Sequence, residues 1–227
     1  MNDLKRALQF EAEIGTDEVV LPQGASTIVT ETPAAPQAAE FASLDAFRDA
    51  ICECQKCPLG ATRNKFVFGV GNPEADILFV GEAPGADEDR IGEPFVGRAG
   101  KLLDKILTAI ELDRSKIYIA NILKCRPPGN RDPQPDEMNE CFPYLEQQIE
   151  IMAPKFICAL GRVAAQRLLE TKTPLGKMRG QWFDKFNAQV MVTYHPAALL
   201  RFPNYKKDTW EDVQRLKAAF DATRGDA

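Results

Sequence analysis

The residues of this chain with the most chemistry to offer are its cysteines: Cys52, Cys54, Cys57, Cys125, Cys141 and Cys158. Cys54-Gln-Lys-Cys57 is a C-x2-C pair, a spacing at which two thiolates can chelate one metal centre from a single turn. Cys125 and Cys141 bracket a proline-rich loop, Arg126–Pro135. A four-thiolate site would close that loop onto the first pair, with metal bonds replacing regular hydrogen bonding. Spacing alone does not choose between Zn²⁺ and an iron–sulfur cluster, because both accept four cysteines. Cys52 competes with Cys54 as partner of Cys57, through a weaker C-x4-C spacing. Cys158 sits in an apolar run and reads as a core thiol. Residues 1–15 lack the apolar stretch and small-residue cleavage site of a secretory leader, so the expected location is the cytoplasm. Disulfides are not expected there.

The elements that must position these residues follow from periodicity. Apolar spacing predicts helices over Ser43–Cys54, with Ser43 as cap, and over Ala99–Leu112, Asp136–Met152, Gly161–Glu170 and Lys207–Thr223. Continuous apolar runs predict strands over Asp76–Gly81, Ile117–Leu123, Lys155–Leu160 and Gln189–Tyr194. Alternating strands and helices imply an α/β fold: three α/β/α layers around a central, mainly parallel sheet. Ligands of such sheets sit beyond the carboxyl ends of the strands. Three unusual segments fall there: Gly81–Asp89, Asn121–Pro135 and His195–Pro203. No apolar run approaches the length of a membrane span.

The net charge of −5 would argue against a nucleic-acid partner if it were spread evenly. It is not. Residues 1–41 hold seven acids against two bases, leaving residues 42–227 neutral. Between Lys155 and Lys207 there are ten Lys and Arg residues and two acids, Glu170 and Asp184. A phosphate backbone responds to such a local potential. Residues 1–12 fit a short amphipathic helix. Residues 22–40, rich in Pro, Ala, Thr, Ser and Gln, fit a linker. The expected organisation is a flexible acidic tail over 1–41 and one domain over 42–227.

Three motifs now fall into register with the cysteines: Gly81-Glu-Ala-Pro-Gly-Ala-Asp-Glu-Asp89, Asn121-Ile-Leu-Lys-Cys-Arg-Pro-Pro-Gly-Asn-Arg131 and His195-Pro-Ala-Ala-Leu-Leu-Arg201. Together they resemble the family 4, iron–sulfur uracil-DNA glycosylases, from about Cys54 to Phe220. The resemblance implies a DNA-repair hydrolase with a [4Fe–4S] cluster on Cys54, Cys57, Cys125 and Cys141. It also implies a uracil-glycosylase-type α/β/α sheet. A monomer is expected, as is usual for enzymes that scan DNA, although the sequence leaves the oligomeric state open.

A base inside a duplex is out of reach, so the resemblance implies a pocket for a flipped uracil. Gly81, Ala83 and Gly85 would line it, and Phe95 would stack on the base. Asn121 would offer one donor and one acceptor to uracil O4 and N3–H, a pattern that cytosine reverses. His195, the one histidine of the chain, would donate to uracil O2 as charge develops there. The best-known uracil glycosylases carry a water-positioning aspartate at the position that is Ala83 here. Glu82 is the first candidate for that task and Glu88 the second. Glu88 can instead form the wall that excludes the thymine methyl. Leu199 and Leu200 would fill the space that the base vacates and Arg201 would hold a phosphate, unless the segment is a short helix with its leucines in the core. No motif places a lysine nucleophile, so the expected product is an abasic site without strand cleavage. The rival readings are a non-catalytic binder of uracil-DNA and a zinc-stabilised module of another activity. A branch that links covalently to DNA uses a further histidine that this chain lacks.

Overall fold

A computed structural model describes residues 41–225. The helix expected over 1–12 and the linker over 22–40 lie outside the described residues. In chain order, the helices are α1 (Leu44–Ile51), α2 (Leu59–Thr62), α3 (Ala86–Ile91), α4 (Arg98–Ala109), α5 (Pro135–Met152), α6 (Arg162–Leu168), α7 (Leu175–Met178), α8 (Pro196–Arg201) and α9 (Tyr205–Gly225). The strands are β1 (Val70–Gly71), β2 (Ile77–Gly81), β3 (Tyr118–Asn121), β4 (Phe156–Leu160), β5 (Trp182–Lys185) and β6 (Ala188–Thr193).

They form one sheet in the order β1-β3-β2-β4-β6-β5. The four central strands are parallel, and both edge strands pair antiparallel. Strand side chains alternate between faces, and here both faces are covered. Leu78, Val80, Ile157, Ala159, Val190 and Val192 meet α1, α5 and α6 on one side. Ile77, Phe79, Ile119, Cys158 and Met191 meet α4 and α9 on the other. The helices supply stripes at helical spacing: Phe142, Leu145, Ile149 and Met152 of α5, and Val213, Leu216 and Phe220 of α9. Cys158 has no exposed surface and is a core thiol, as its apolar setting predicts.

Ser43 caps α1 through its hydroxyl, which accepts from the Ala46 N–H at 3.2 Å. That helix stops at Ile51, before the residues of the C-x2-C pair. The short edge strands escape a reading based on apolar runs. β5 has no residue that is fully buried, and it joins β6 through Phe186 and Asn187, both at positive φ (58° and 54°). Two such residues between paired strands make a tight hairpin. Among the described residues no helix is long and apolar enough to cross a membrane.

Candidate active site

Because β2, β3, β4 and β6 run parallel, their carboxyl ends share one edge of the sheet. Gly81 ends β2 directly opposite Asn121, which ends β3. β4 leads into Gly161, and β6 leads through Tyr194 to His195. A cleft opens along this edge. Its lining includes Glu82, Ala83, Gly85, Glu88, Phe95, Asn121 and His195.

Phe95 is buried at 5% exposure, with its ring 5.4 Å from the imidazole of His195, tilted by 32°. Its φ of 55° is one that a bulky residue rarely adopts. Arg114 holds this conformation by donating to the Pro94 and Phe95 carbonyls, the former at 3.1 Å. Asp104 orients Arg114 in turn at 2.8 Å. The approach to Phe95 is close. A Cβ on Gly81 would lie 2.7 Å from the Phe95 ring and against Asn121 Oδ1, which explains a glycine there.

Asn121 is buried at 2% exposure, and its Oδ1 accepts no hydrogen bond from any described residue. Buried polar atoms are seldom left unpaired, and an exception marks a place where a ligand can complete the set.

His195 caps the short helix α8, with Nδ1 accepting from the Ala197 N–H at 3.1 Å. That bond leaves the proton on Nε2, so the ring is a donor on its other edge. Burial first, and the Arg201 charge second, push its pKa down to about 4. The imidazole is therefore neutral at physiological pH. The sign for stability follows. Protonation favours the unfolded chain, whose histidine titrates near 6.5. Any contribution of His195 is complete above pH 6.5 and fades as pH falls towards 4. As the chain has one histidine, its imidazole resonances can be followed by NMR without ambiguity. The expected midpoint lies near pH 4, and one near 6.5 would contradict the neutral-donor assignment.

The two acids differ in environment. Glu82 is half-buried in the cleft, and burial raises its pKa above the ordinary value, helped by Asp132 and opposed by Arg162. Glu88 is committed to backbone amides. Its carboxylate accepts from Gly85 at 3.1 Å and from Val96 and Gly97 at 2.9 Å each. It therefore clamps the turn after β2 to the loop that carries Phe95.

Leu199, Leu200 and Arg201 do not act as one loop. They belong to α8, where successive residues point about 100° apart. Leu199 is buried at 1% and packs inward, contrary to the expectation that both leucines meet DNA. Leu200 is 41% exposed, and the neighbouring Phe202 is 52% exposed. Sequence reasoning passed over Phe202, although an aromatic beside Arg201 was a visible signal. Arg98 and Arg201 lie in the cleft lining and form no ion pair among the described residues, so both are free to meet phosphates.

The four cysteines of the two pairs line a separate small cavity, with Phe66 and Tyr144 among its walls. Cys54 lines it and Cys52 does not. Three sulfurs receive donors. Cys54 Sγ accepts from the Tyr144 hydroxyl at 3.2 Å, Cys125 Sγ from Arg63 at 3.5 Å and Cys141 Sγ from the Lys124 N–H at 3.2 Å. Burial pushes the Cys125 thiol up to about 11 and the Cys141 thiol up to about 12, so a bound cation is what would make them thiolates at neutral pH. Among the described residues no three His, Cys, Asp or Glu side chains close on one point as around a single ion. Ala83 packs against this cluster and also lines the cleft, so the two sites share a wall.

An aromatic ring, a buried amide oxygen without a partner and a neutral imidazole thus meet at one sheet edge beside two arginines that form no ion pair among the described residues, a set of groups suited to a planar base on a phosphate chain. Comparison with known proteins narrows this. Residues 68–214 match the uracil DNA glycosylase superfamily. The "Type-4 uracil-DNA glycosylase" of Archaeoglobus fulgidus is 45% identical over 77% of this chain and 92% of its own length. Its namesake in Sulfurisphaera tokodaii is 43% identical over 77% and 84%. That of Thermotoga maritima is 41% identical over 74% and 90%. The chain belongs to the uracil DNA glycosylase superfamily, and within it to the type-4 enzymes.

Proposed function

We propose that this enzyme excises uracil from DNA in repair by everting the nucleotide into the cleft and hydrolysing its N-glycosidic bond. The product is an abasic site in an unbroken strand. The observation that carries this reading is the buried, unpartnered Oδ1 of Asn121 beside Phe95. Phe95 stacks on the base, and Asn121 Oδ1 accepts from uracil N3–H while the amide donates to O4. Cytosine lacks that donor on its ring nitrogen, which leaves the acceptor unsatisfied and costly. His195 Nε2–H donates to O2 as the leaving base gains charge. Ala83 and Gly85 line the cleft, whereas Gly81, expected there too, lies buried behind it and gives Phe95 and Asn121 room to approach. Leu200 enters the space left by the base and Arg201 grips a phosphate.

Glu82 orients the attacking water and balances the cationic sugar. Its raised pKa gives the sign of the pH dependence. Burial favours its protonated form, so as pH falls excision should be lost at a higher pH than an ordinary glutamate would set, and this acid limb is assigned to Glu82. Glu82→Gln is expected to lower the rate at pH 7 and to abolish that limb. A limb that survives the substitution would take the role from Glu82.

The thiol cavity fits a [4Fe–4S] cluster held by Cys54, Cys57, Cys125 and Cys141. It offers four sulfur donors, N–H and O–H groups directed at three of them, and apolar walls. Held there, such a cluster would serve structure, tying the Cys54–Cys57 turn to the Cys125–Cys141 loop, whose Pro127, Asn130 and Asp132 line the cleft. The decisive assay is incubation with a uracil-containing oligonucleotide, read before and after alkali. A break only after alkali is expected. No break removes the enzymatic reading, a break before alkali removes the monofunctional one, and a stable adduct moves the chain to the covalent branch.

A further inference from the structure

Lys124 has no exposed surface, and none of the steps above uses it. A fully buried lysine is rare unless it is paired. Its Nζ donates to the Asn121 carbonyl at 3.0 Å and to Gln148 Oε1 at 2.5 Å. Gln148, equally buried, passes the connection on by donating to the Phe68 carbonyl at 3.1 Å. The main chain of Lys124 is anchored at both ends. Its N–H donates to Cys141 Sγ at 3.2 Å, and its carbonyl accepts from the Val67 N–H at 2.9 Å. One residue therefore grips the strand end that presents the base-reading amide and is itself held by a sulfur of the thiol cavity.

We propose that Lys124 is a positioning residue that couples the thiol centre to base recognition. The ammonium fixes the Asn121 backbone, and the hydrogen bond to Cys141 sets where that ammonium stands. The proposal rests on the reading of Asn121 given above. Lost order at the sulfurs would then loosen the amide, even though the two sites are chemically separate.

The test is Lys124→Met, an unbranched apolar side chain one atom shorter, which removes both donor bonds. Excision is measured in the wild-type and Asn121→Ala backgrounds. Release of iron to a chelator is followed separately. In the wild-type background kcat should fall about tenfold or more with KM little changed. In the Asn121→Ala background the same substitution should cost less than about twofold, because a residue acting through Asn121 has nothing left to position. Iron should leave the variant faster than the wild type. Equal losses in both backgrounds, or wild-type kcat, would overturn the coupling, and unchanged iron release would overturn its link to the sulfurs. If Lys124→Met does not fold, Lys124→Gln enters the same cycle. It keeps one donor for the Asn121 carbonyl and should retain more of kcat than the loss of Asn121 leaves. If Asn121→Ala itself turns over normally, the reading of Asn121 fails rather than the coupling.

Discussion

Asn121→Ala is expected to lower single-turnover excision of uracil by about a hundredfold or more, the scale of a lost transition-state contact, or about 2.7 kcal/mol. The physical ground is the state of its Oδ1. An asparagine that caps a turn uses its oxygen on the backbone. Here Oδ1 is buried, accepts nothing from the described residues and sits against the same glycine as the Phe95 ring. Removing an acceptor that is unsatisfied in the free protein should not destabilise the fold, because the burial cost disappears with it. The expected signature is therefore a split, with activity lost and the melting temperature unchanged or slightly raised. A variant with wild-type turnover, or one that loses activity only by unfolding, would remove Asn121 from base recognition.

The second large effect concerns the thiol cavity. Cys141→Ala should yield protein without iron and without the brown absorbance near ~400 nm that a cluster gives. It should also melt well below the wild type. A centre that contributes about 4 kcal/mol through binding to the folded state, at roughly 2–4 °C per kcal/mol in a chain of this size, gives a fall of about 8–16 °C. Cys158→Ala is the matched control. Cys141 and Cys158 are both buried thiols raised by desolvation, but only Cys141 lines the cavity. The control should keep its iron and lose only the small packing contribution of one sulfur. Iron retained in Cys141→Ala, or zinc in place of iron in the wild type, would overturn the cluster assignment. Excision by the iron-free variant should also decline, since Ala83 and Lys124 lie between the cavity and the cleft.

Much of this was legible in the sequence, for reasons tied to particular residues. The strands β2, β3, β4 and β6 are buried on both faces, so their codes are unbroken apolar runs that periodicity finds easily. Helices α4, α5 and α9 carry one apolar stripe each, and their ends agree with the spacing to within a few residues. What escaped was of two kinds. The edge strands β1 and β5 have no buried core of their own to write into the sequence; β1 pairs with β3, distant in the chain, and β5 is set by the positive-φ turn at Phe186 and Asn187 rather than by an apolar run. Helix α8 was foreseen only as an alternative, because a two-turn segment carries too few apolar positions to set a period.

Residue chemistry and spacing by themselves determined the α/β/α class, the two cysteine pairs and the set of side chains at the strand ends. Those are properties of local pattern: burial on one or two faces, chelate spacing, and motifs of fixed order. The tertiary structure alone decided how each side chain is used. It set Leu199 in the core and Leu200 in solvent, gave the Glu88 carboxylate to three backbone amides, and fixed the proton of His195 on Nε2 through the Ala197 amide. It also left Asn121 Oδ1 without a partner and threaded Lys124 from a sulfur to that residue's carbonyl. Hydrogen-bond partners, desolvation and facing direction depend on groups far apart in the chain, and a linear pattern holds no record of which of them will meet.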